Sequence, residues 1–531
     1  MSIPDTKGPL GLMDDRDADV QTVLGADEPS SRVQARALVM VGPALLMLVL
    51  SVVVVYVVPG LDRYRPWDPS REGEPMLFWN LLGRPFEEAA ADGKPSKAEQ
   101  ADSLAEEVLA AEEPTPAVVP RKPVIREEDT GDHLPPYEPR PEDAKEVVQS
   151  IELFDGEELD AFFASLARSD EAIEGAVTRV VHWGDSAIGV DGIPGAIRLR
   201  MQNRFGDAGH GFHLMAPPNT SYRHRAVDFS HNDNWGTCFI IHKCRNDGHY
   251  GLGGATFRSN GGAQSTFAPH PKRSSGQVSK FEVWYAAQPK GGKLRIGVDD
   301  QEKVFVDTSA DELEDRFYSV EVPDGPHTLE VRASGGGRVR VYGVVLERDG
   351  PGVVWDSLAL VGAFTNRLTE FAPEHIKAQL GQRKPNLAVF TFGGNDMIRT
   401  RMSMEEYIGE YREVVQRIKN ARPEGMSCLI MAPLDHGVRK GVRIVSQPVV
   451  SKMVEAQREV ARLEGCAFFD TYEAMGGEGS AGRWFKRKPR LMGGDLGHAT
   501  ANGHQVIGEL FFRALVEAYV EYRHRTDVLD D

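Results

Sequence analysis

Hydrophobic and polar positions divide the chain into regimes of different period. Residues 1–36 are polar and acidic without apolar periodicity, and predict a disordered tail. Residues 37–58, "ALVMVGPALLMLVLSVVVVYVV", carry no charge and no polar face. A run of that length spans a bilayer core, so it predicts a single transmembrane helix. From 59 to 145 the chain is rich in Pro, Glu, Asp and Ala and offers little to bury. It is expected as a disordered, extended linker.

Helical spacing appears in "VVQSIELFDGEELDAFFASLARS", and "AVTRVVHW" then reads as a strand. Between 207 and 349, short aromatic or β-branched runs such as "KFEVWYAAQ", "KLRIGVD" and "RVRVYGVVLE" are punctuated by Gly, Pro and Asp. This spacing predicts a β-sandwich of jelly-roll type. From 350 to 525, strand-like "LAVFTFG", "CLIMAP" and "CAFFD" alternate with helix-like "SMEEYIGEYREVVQRIKNA" and "SKMVEAQREVARLEG". That alternation is the pattern of an α/β domain on a parallel sheet. One such strand already precedes residue 207. The β segment is therefore expected as an insertion in an α/β domain made of 146–206 and 350–525.

Composition narrows the function classes. A net charge of −18 argues against nucleic acid as the main partner, since phosphate binding needs a basic footprint. Four cysteines are too few for a disulfide scaffold. The apolar run begins too far into the chain, and lacks a small-x-small site, to be a typical removable signal, so a retained anchor is expected. Arg32 and Arg36 precede it and Arg63, Arg65 and Arg71 follow it, a near balance that does not orient the anchor.

The candidate chemistry starts at "VVHWGDSAIG", where an apolar run ends in Gly184-Asp185-Ser186. A serine hydroxyl needs a base, an acid to orient that base, and donors aimed at the developing oxyanion. Parallel sheets gather such groups at the carboxyl ends of their strands. The strand "LAVFTF" runs into Gly393-Gly394-Asn395-Asp396. "GGDLGHATANGHQVIGELFFRAL" sets Asp495 and His498 three apart at the lip of the last helix. That spacing can place a carboxylate beside one imidazole nitrogen and leave the other to face a serine.

"GDS" at Gly184–Ser186, "GGND" at Gly393–Asp396 and "DLGH" at Asp495–His498 resemble, in order, blocks I, III and V of the SGNH (GDSL) hydrolases. "GVVWDSLALVGA" resembles block II, with Gly362 as its glycine. The likeness is greatest to family members with an inserted β domain, such as the peptidoglycan O-acetylesterases, whose insertion resembles a carbohydrate-binding module. Ala187 and Val361 depart from the His and Asn those relatives often carry there. The resemblance implies a flavodoxin-like domain in which Ser186 is the nucleophile, His498 the base and Asp495 its orienting acid. It implies an oxyanion hole made of the backbone N–H groups of Ser186 and Gly362 and the Asn395 amide, with Asp185 bracing the loop. No cofactor and no metal are expected.

Taken with the anchor read from residues 37–58 and the spacer after it, it points to a membrane-anchored serine esterase that removes O-acyl groups, O-acetyl above all, from a cell-envelope polysaccharide such as peptidoglycan, on the extracytoplasmic side. The alternatives are an O-acetyltransferase with the same triad, and a tethered glycan-binding protein with a vestigial one. His182 and His504 are expected as packed or structural. "HNDNWGTCFIIHKCRNDGH" has a spacing that matches no standard zinc finger or ribbon. Its Cys238 and Cys244 can close a hairpin disulfide in an exported domain. Cys428 and Cys466 open neighbouring strands, as buried thiols or a second disulfide. The run "RWFKRKPR", Arg483–Arg490, reads as a solvated basic loop able to attract an anionic glycan.

Overall fold

A computed structural model describes residues 95–530 apart from 113, 117–121, 127, 129–133 and 423. The expected tail, the transmembrane span 37–58 and the linker up to residue 94 lie outside the described residues. Among the described residues, no helix is long and apolar enough to cross a membrane.

Five parallel strands form the central sheet in the order Gly352–Ala359, Val177–Gly184, Leu387–Thr391, Ser427–Met431, Ala467–Phe469. Counted along the chain this is 2-1-3-4-5, the flavodoxin-like order, with its switch point beside the first strand. Nearly every side chain of these strands is buried, as expected where helices cover both faces of a sheet. The helix Ile193–Phe205 follows the first strand. Proline stands in its first turn and Gly206 ends it at φ 103°, a left-handed value that glycine adopts without strain. Helix Met404–Ala421 begins with a capping box in which Ser403 accepts from the Glu406 N–H. Helix Val449–Glu464 stops at Gly465.

Between the first and second parallel strands the chain builds two antiparallel sheets. One has the order Glu314–Gly325, Val278–Ala287, Val339–Glu347, Ala255–Ser259, Gly236–Phe239, with Gly209–Leu214 also paired to Val339–Glu347. The other runs Val227–His231, Gln264–Pro269, Leu329–Ala333, Lys293–Val298, Val304–Asp307. Phe257, Trp284 and Val341 of the first sheet and Phe267, Ile296 and Val331 of the second belong to one buried cluster. The insertion is anchored to the α/β part by buried polar groups. Trp183 Nε1 donates to Leu252 O (3.0 Å), and Arg383 bridges Glu347 and Asp356.

The expected linker is corrected over its described part. Lys97–Ala110 is a helix with Ser96 and Glu99 in a capping box, and it buries Ala101, Leu104 and Ala105. Those three positions follow i, i+3, i+4 spacing and form one stripe. The acidic residues that read as solvated spacer find cations far along the chain: Asp102 pairs with Arg487 (3.1 Å) and Glu107 with Arg513. Charge content suggested a spacer because the pairing cations stand 385 and 406 residues further along the chain.

Candidate active site

The strand carrying "GDS" sits between two others, and the three end together. Leu360 N–H donates to Gly184 O (2.8 Å) and Asp185 N–H to Thr391 O (3.1 Å). Gly184 has no room for a side chain, since a Cβ there would stand 2.5 Å from Thr391 O. Asp185 is buried and caps the short turn Ser186–Asp191, its Oδ1 accepting from Ala187 N–H (2.9 Å). Burial pushes its carboxyl up, against the N–H groups of Ala187, Asn395 and Gly394 around it. It therefore braces the loop, and Ser186 stands at the rim.

The partners come from an irregular turn before the last helix, Ala501–Asp530. Leu496 takes φ 61°, a left-handed value for a non-glycine residue, and brings residues 495 and 498 around to each other. His498 Nδ1 lies 2.7 Å from Asp495 Oδ2, and the N–H groups of Gly497 and His498 both donate to Asp495 Oδ1 (3.2 Å). Burial raises the Asp495 carboxyl, but these donors outweigh it and hold it below its ordinary value. With Nδ1–H given to the carboxylate, Nε2 is left as the acceptor. It lies 2.8 Å from Ser186 Oγ.

Asn395 and Gly362 flank this group. Asn395 Nδ2 donates to Ala363 O (3.0 Å), and Asp396 Oδ2 accepts from Thr365 N–H (3.0 Å) and Oγ1–H (2.9 Å), so the two loops are tied together. Gly362 follows its strand at φ 87° on the exposed part of the loop. A cleft of about 50 Å³ is lined by Ser186, Gly394, Asn395, Pro433, His436 and His498. Asn395 lines it and Gly362 does not.

His436 was not singled out from the sequence. Its Nδ1–H donates to Leu434 O (2.9 Å), which leaves Nε2 as an acceptor on the cleft side, near Gly394. Burial lowers its pKa, with Leu434 O opposing and His498 adding to the effect. The available signal was position: "LDHG" follows the strand "CLIM", at the end of the sheet where ligands bind.

His182 is buried between Thr391 Oγ1 (2.8 Å) and Trp355 Nε1 (3.3 Å) and is held neutral. His504 packs against Gly192, where no other residue fits: a Cβ would stand 2.3 Å from the imidazole. Both cysteine pairs are bonded, Cys238–Cys244 and Cys428–Cys466, so no thiol of the zinc-like stretch is free. His249 of that stretch meets Asp315 and His375 instead. His375 already uses both ring nitrogens, Nδ1 with Asp315 (2.6 Å) and Nε2 as acceptor from Gly251 N–H (2.8 Å). The basic run is corrected too. Half of it, Arg483–Lys486, belongs to the helix Ser480–Lys486 with Trp484 buried, and Arg487 is paired to Asp102 and Glu106; Lys488–Arg490 follow the helix and are exposed, as the solvated reading expects. Its amphipathic apolar residues, weighed against the charges, were the missed signal.

Residues 324–506 match the model of the GDSL-like Lipase/Acylhydrolase family. The matched stretch includes Gly362, Asn395, Asp495 and His498; Ser186 lies upstream of it, beyond the insertion. No curated protein matches the chain. Among solved structures, one of a peptidoglycan O-acetylesterase is similar over 68% of this chain and 96% of its own, at 20% identity and a TM-score of 0.58. A family two carbohydrate esterase from Cellvibrio japonicus aligns over 56% of this chain and 98% of its own, at 10% identity and a TM-score of 0.21.

Proposed function

We propose, for a chain whose residues 324–506 match the GDSL-like Lipase/Acylhydrolase family model, a specific enzyme: a membrane-anchored serine esterase that removes O-acetyl groups from a cell-envelope polysaccharide. The observation that carries the reading is the continuous path from Ser186 Oγ to His498 Nε2 (2.8 Å) and from His498 Nδ1 to Asp495 Oδ2 (2.7 Å). In this reading His498 takes the serine proton as Oγ attacks the ester carbonyl, then returns it to the leaving sugar hydroxyl. Asp495 fixes the Nδ1–H tautomer and stabilises the imidazolium. The Ser186 N–H and the Asn395 amide, both on the cleft, stabilise the oxyanion; Gly362, the third donor expected from the sequence, stands outside the cleft lining.

Two features favour hydrolysis over transfer to a second sugar. The Asp495 and His498 side chains are 58% and 50% exposed, so water reaches the acyl-enzyme freely. The cleft at Ser186 holds little more than an acyl group. A polymer is favoured by the wider depression of about 610 Å³ that starts at Val190, four residues past the serine. Tyr222, Phe229, Arg223 and Arg225 line it, a mix of ring faces and donors suited to sugars. The two disulfides favour an oxidising compartment outside the cytoplasm.

Acetate release from p-nitrophenyl acetate and from O-acetylated peptidoglycan, compared between the wild type and Ser186→Ala, tests the reading. Ser186-dependent release from both is expected, and no Ser186-dependent turnover on any ester would overturn it. Acetyl transfer to an added glycan faster than hydrolysis would replace esterase by transferase. A C-terminal reporter active only in the cytoplasm would overturn the placement.

A further inference from the structure

The insertion carries a second cleft, of about 690 Å³, that shares no lining residue with the one at Ser186. Five cationic side chains, Arg245, Arg258, Lys290, Arg338 and Arg340, line it against a single carboxylate, Asp247. The arrangement is costly for a sheet. Arg258 and Arg340 stand directly opposite each other on antiparallel strands, and Arg338, just before the second strand, lines the same cleft. Like charges directly opposite destabilise a sheet.

The lone acid does not balance this group. Asp247 is engaged by the buried Arg340, whose two terminal nitrogens meet its two oxygens at 2.8 and 2.9 Å. Arg340 Nε is held by Thr256 Oγ1 (3.1 Å), so this guanidinium is fixed as the floor. Among the described residues, Arg245, Arg258, Lys290 and Arg338 form no ion pair; Arg338 reaches only the neutral Asn260 side chain (3.2 Å). Arg245 Nε is buried with no hydrogen-bond partner, beside the Cys238–Cys244 disulfide that pins its loop. Burial and the neighbouring guanidinium charges lower the pKa of Arg245, to about 10, and that of Arg258. In a chain of net charge −18, four unpaired cations around one concavity are a local exception.

We infer that this cleft binds the carboxylates of an acidic glycan, holding a polymer on the insertion while the esterase site works elsewhere on it. Guanidinium forks match carboxylate oxygens in pairs. The remaining lining, which includes Gln288, Asn260 and Gly337, is polar; Leu313 and Pro289 are its apolar residues. No aromatic ring of the lining offers a base-stacking platform, which counts against a single-stranded nucleic acid. The choice of a glycan rests on the polysaccharide reading of the enzyme; the anion site rests on the arginines alone.

The test is equilibrium binding of the full chain, in detergent, to polygalacturonate, with neutral dextran and polyuridylate as comparisons. Binding to polygalacturonate that weakens with salt, absent for dextran and at least about tenfold weaker in Arg258→Gln and in Arg338→Gln, is expected. The melting temperature of unliganded Arg258→Gln should stay level or rise, because a repulsion is removed. Arg338→Gln, at the exposed rim, serves should the first variant disturb the sheet. Equal affinity for dextran, tighter binding of polyuridylate, or unchanged affinity in both variants would overturn the proposal. Polygalacturonate carries no ester, so these outcomes are independent of whether Ser186 hydrolyses one.

Discussion

Ser186 follows the strand Val177–Gly184, and the residues from Val180 to Asp185 are all buried, whereas Asp495 and His498 stand in a turn with half or more of each side chain in water. The serine is positioned by long-range packing: two flanking strands, a glycine with no space beside it, and a buried carboxylate. The base and its acid are positioned by local means, a three-residue spacing, one left-handed residue and two backbone donors. Damage to the first side should cost both fold and activity. Damage to the second should cost activity alone.

The largest separation is expected for Asp495→Asn. The amide removes the negative charge and favours the wrong tautomer of His498, so kcat should fall on the order of 10⁴-fold. The melting temperature should stay within experimental error, because the exposed pair contributes little stability. Kinetics on p-nitrophenyl acetate beside a thermal melt would show it, and a clear loss of stability would break the comparison. Asn395→Ala comes next, with kcat lower by about 10²–10³-fold. Its KM should move little, since the amide acts on the charge that develops in the transition state. Asp185→Ala belongs to the other side. It leaves the Ala187 N–H of a half-buried turn unpaired, at a cost of about 1 kcal/mol. The denaturant midpoint and the activity should fall together, and a variant of full stability would show that packing alone holds the loop.

The same contrast explains what was legible in the sequence. The strands "AVTRVVHW", "LAVFTF" and "CLIM" announce themselves by their β-branched and apolar residues; the Gly-Asp-Ser and Gly-Gly-Asn-Asp turns follow two of them, and the Asp-Leu-Gly-His turn precedes the last helix. Local signals of that kind survive without coordinates. Lys97–Ala110 did not read as part of the domain, because its stripe of Ala101, Leu104 and Ala105 is modest and its acids pair with Arg487 and Arg513 far downstream. His436 was hidden for a similar reason. A lone histidine after a strand acquires meaning only when the cleft around Gly394 and His498 is assembled. The cation-lined cleft of the insertion was also invisible, since Arg258 and Arg340 become neighbours through strand register.

The smallest effect is the pH dependence of stability. On the serine side, burial, partly offset by Asp191, pushes His182 down from 6.5 to about 3. His213 and His504 are likewise pushed to about 4, mainly by burial. Between those values and 6.5 the unfolded chain binds more protons than the folded one, so stability rises with pH there and falls on acidification. Each such histidine contributes at most about 1.4 kcal/mol per pH unit. Asp495 is shifted in the same direction but over a lower window: its carboxyl is lowered below 3.8, so its contribution is complete above that value and is lost as pH falls from there through the lowered range. Urea midpoints at roughly pH 7, 6 and 5 should therefore decline in the wild type and in Asp495→Asn alike. The slope should be shallower in His182→Gln, which removes one titrating group from the buried side. A flat profile over that range, or one flattened by Asp495→Asn instead, would mean that the exposed turn and not the buried strand end sets the acid sensitivity of the fold.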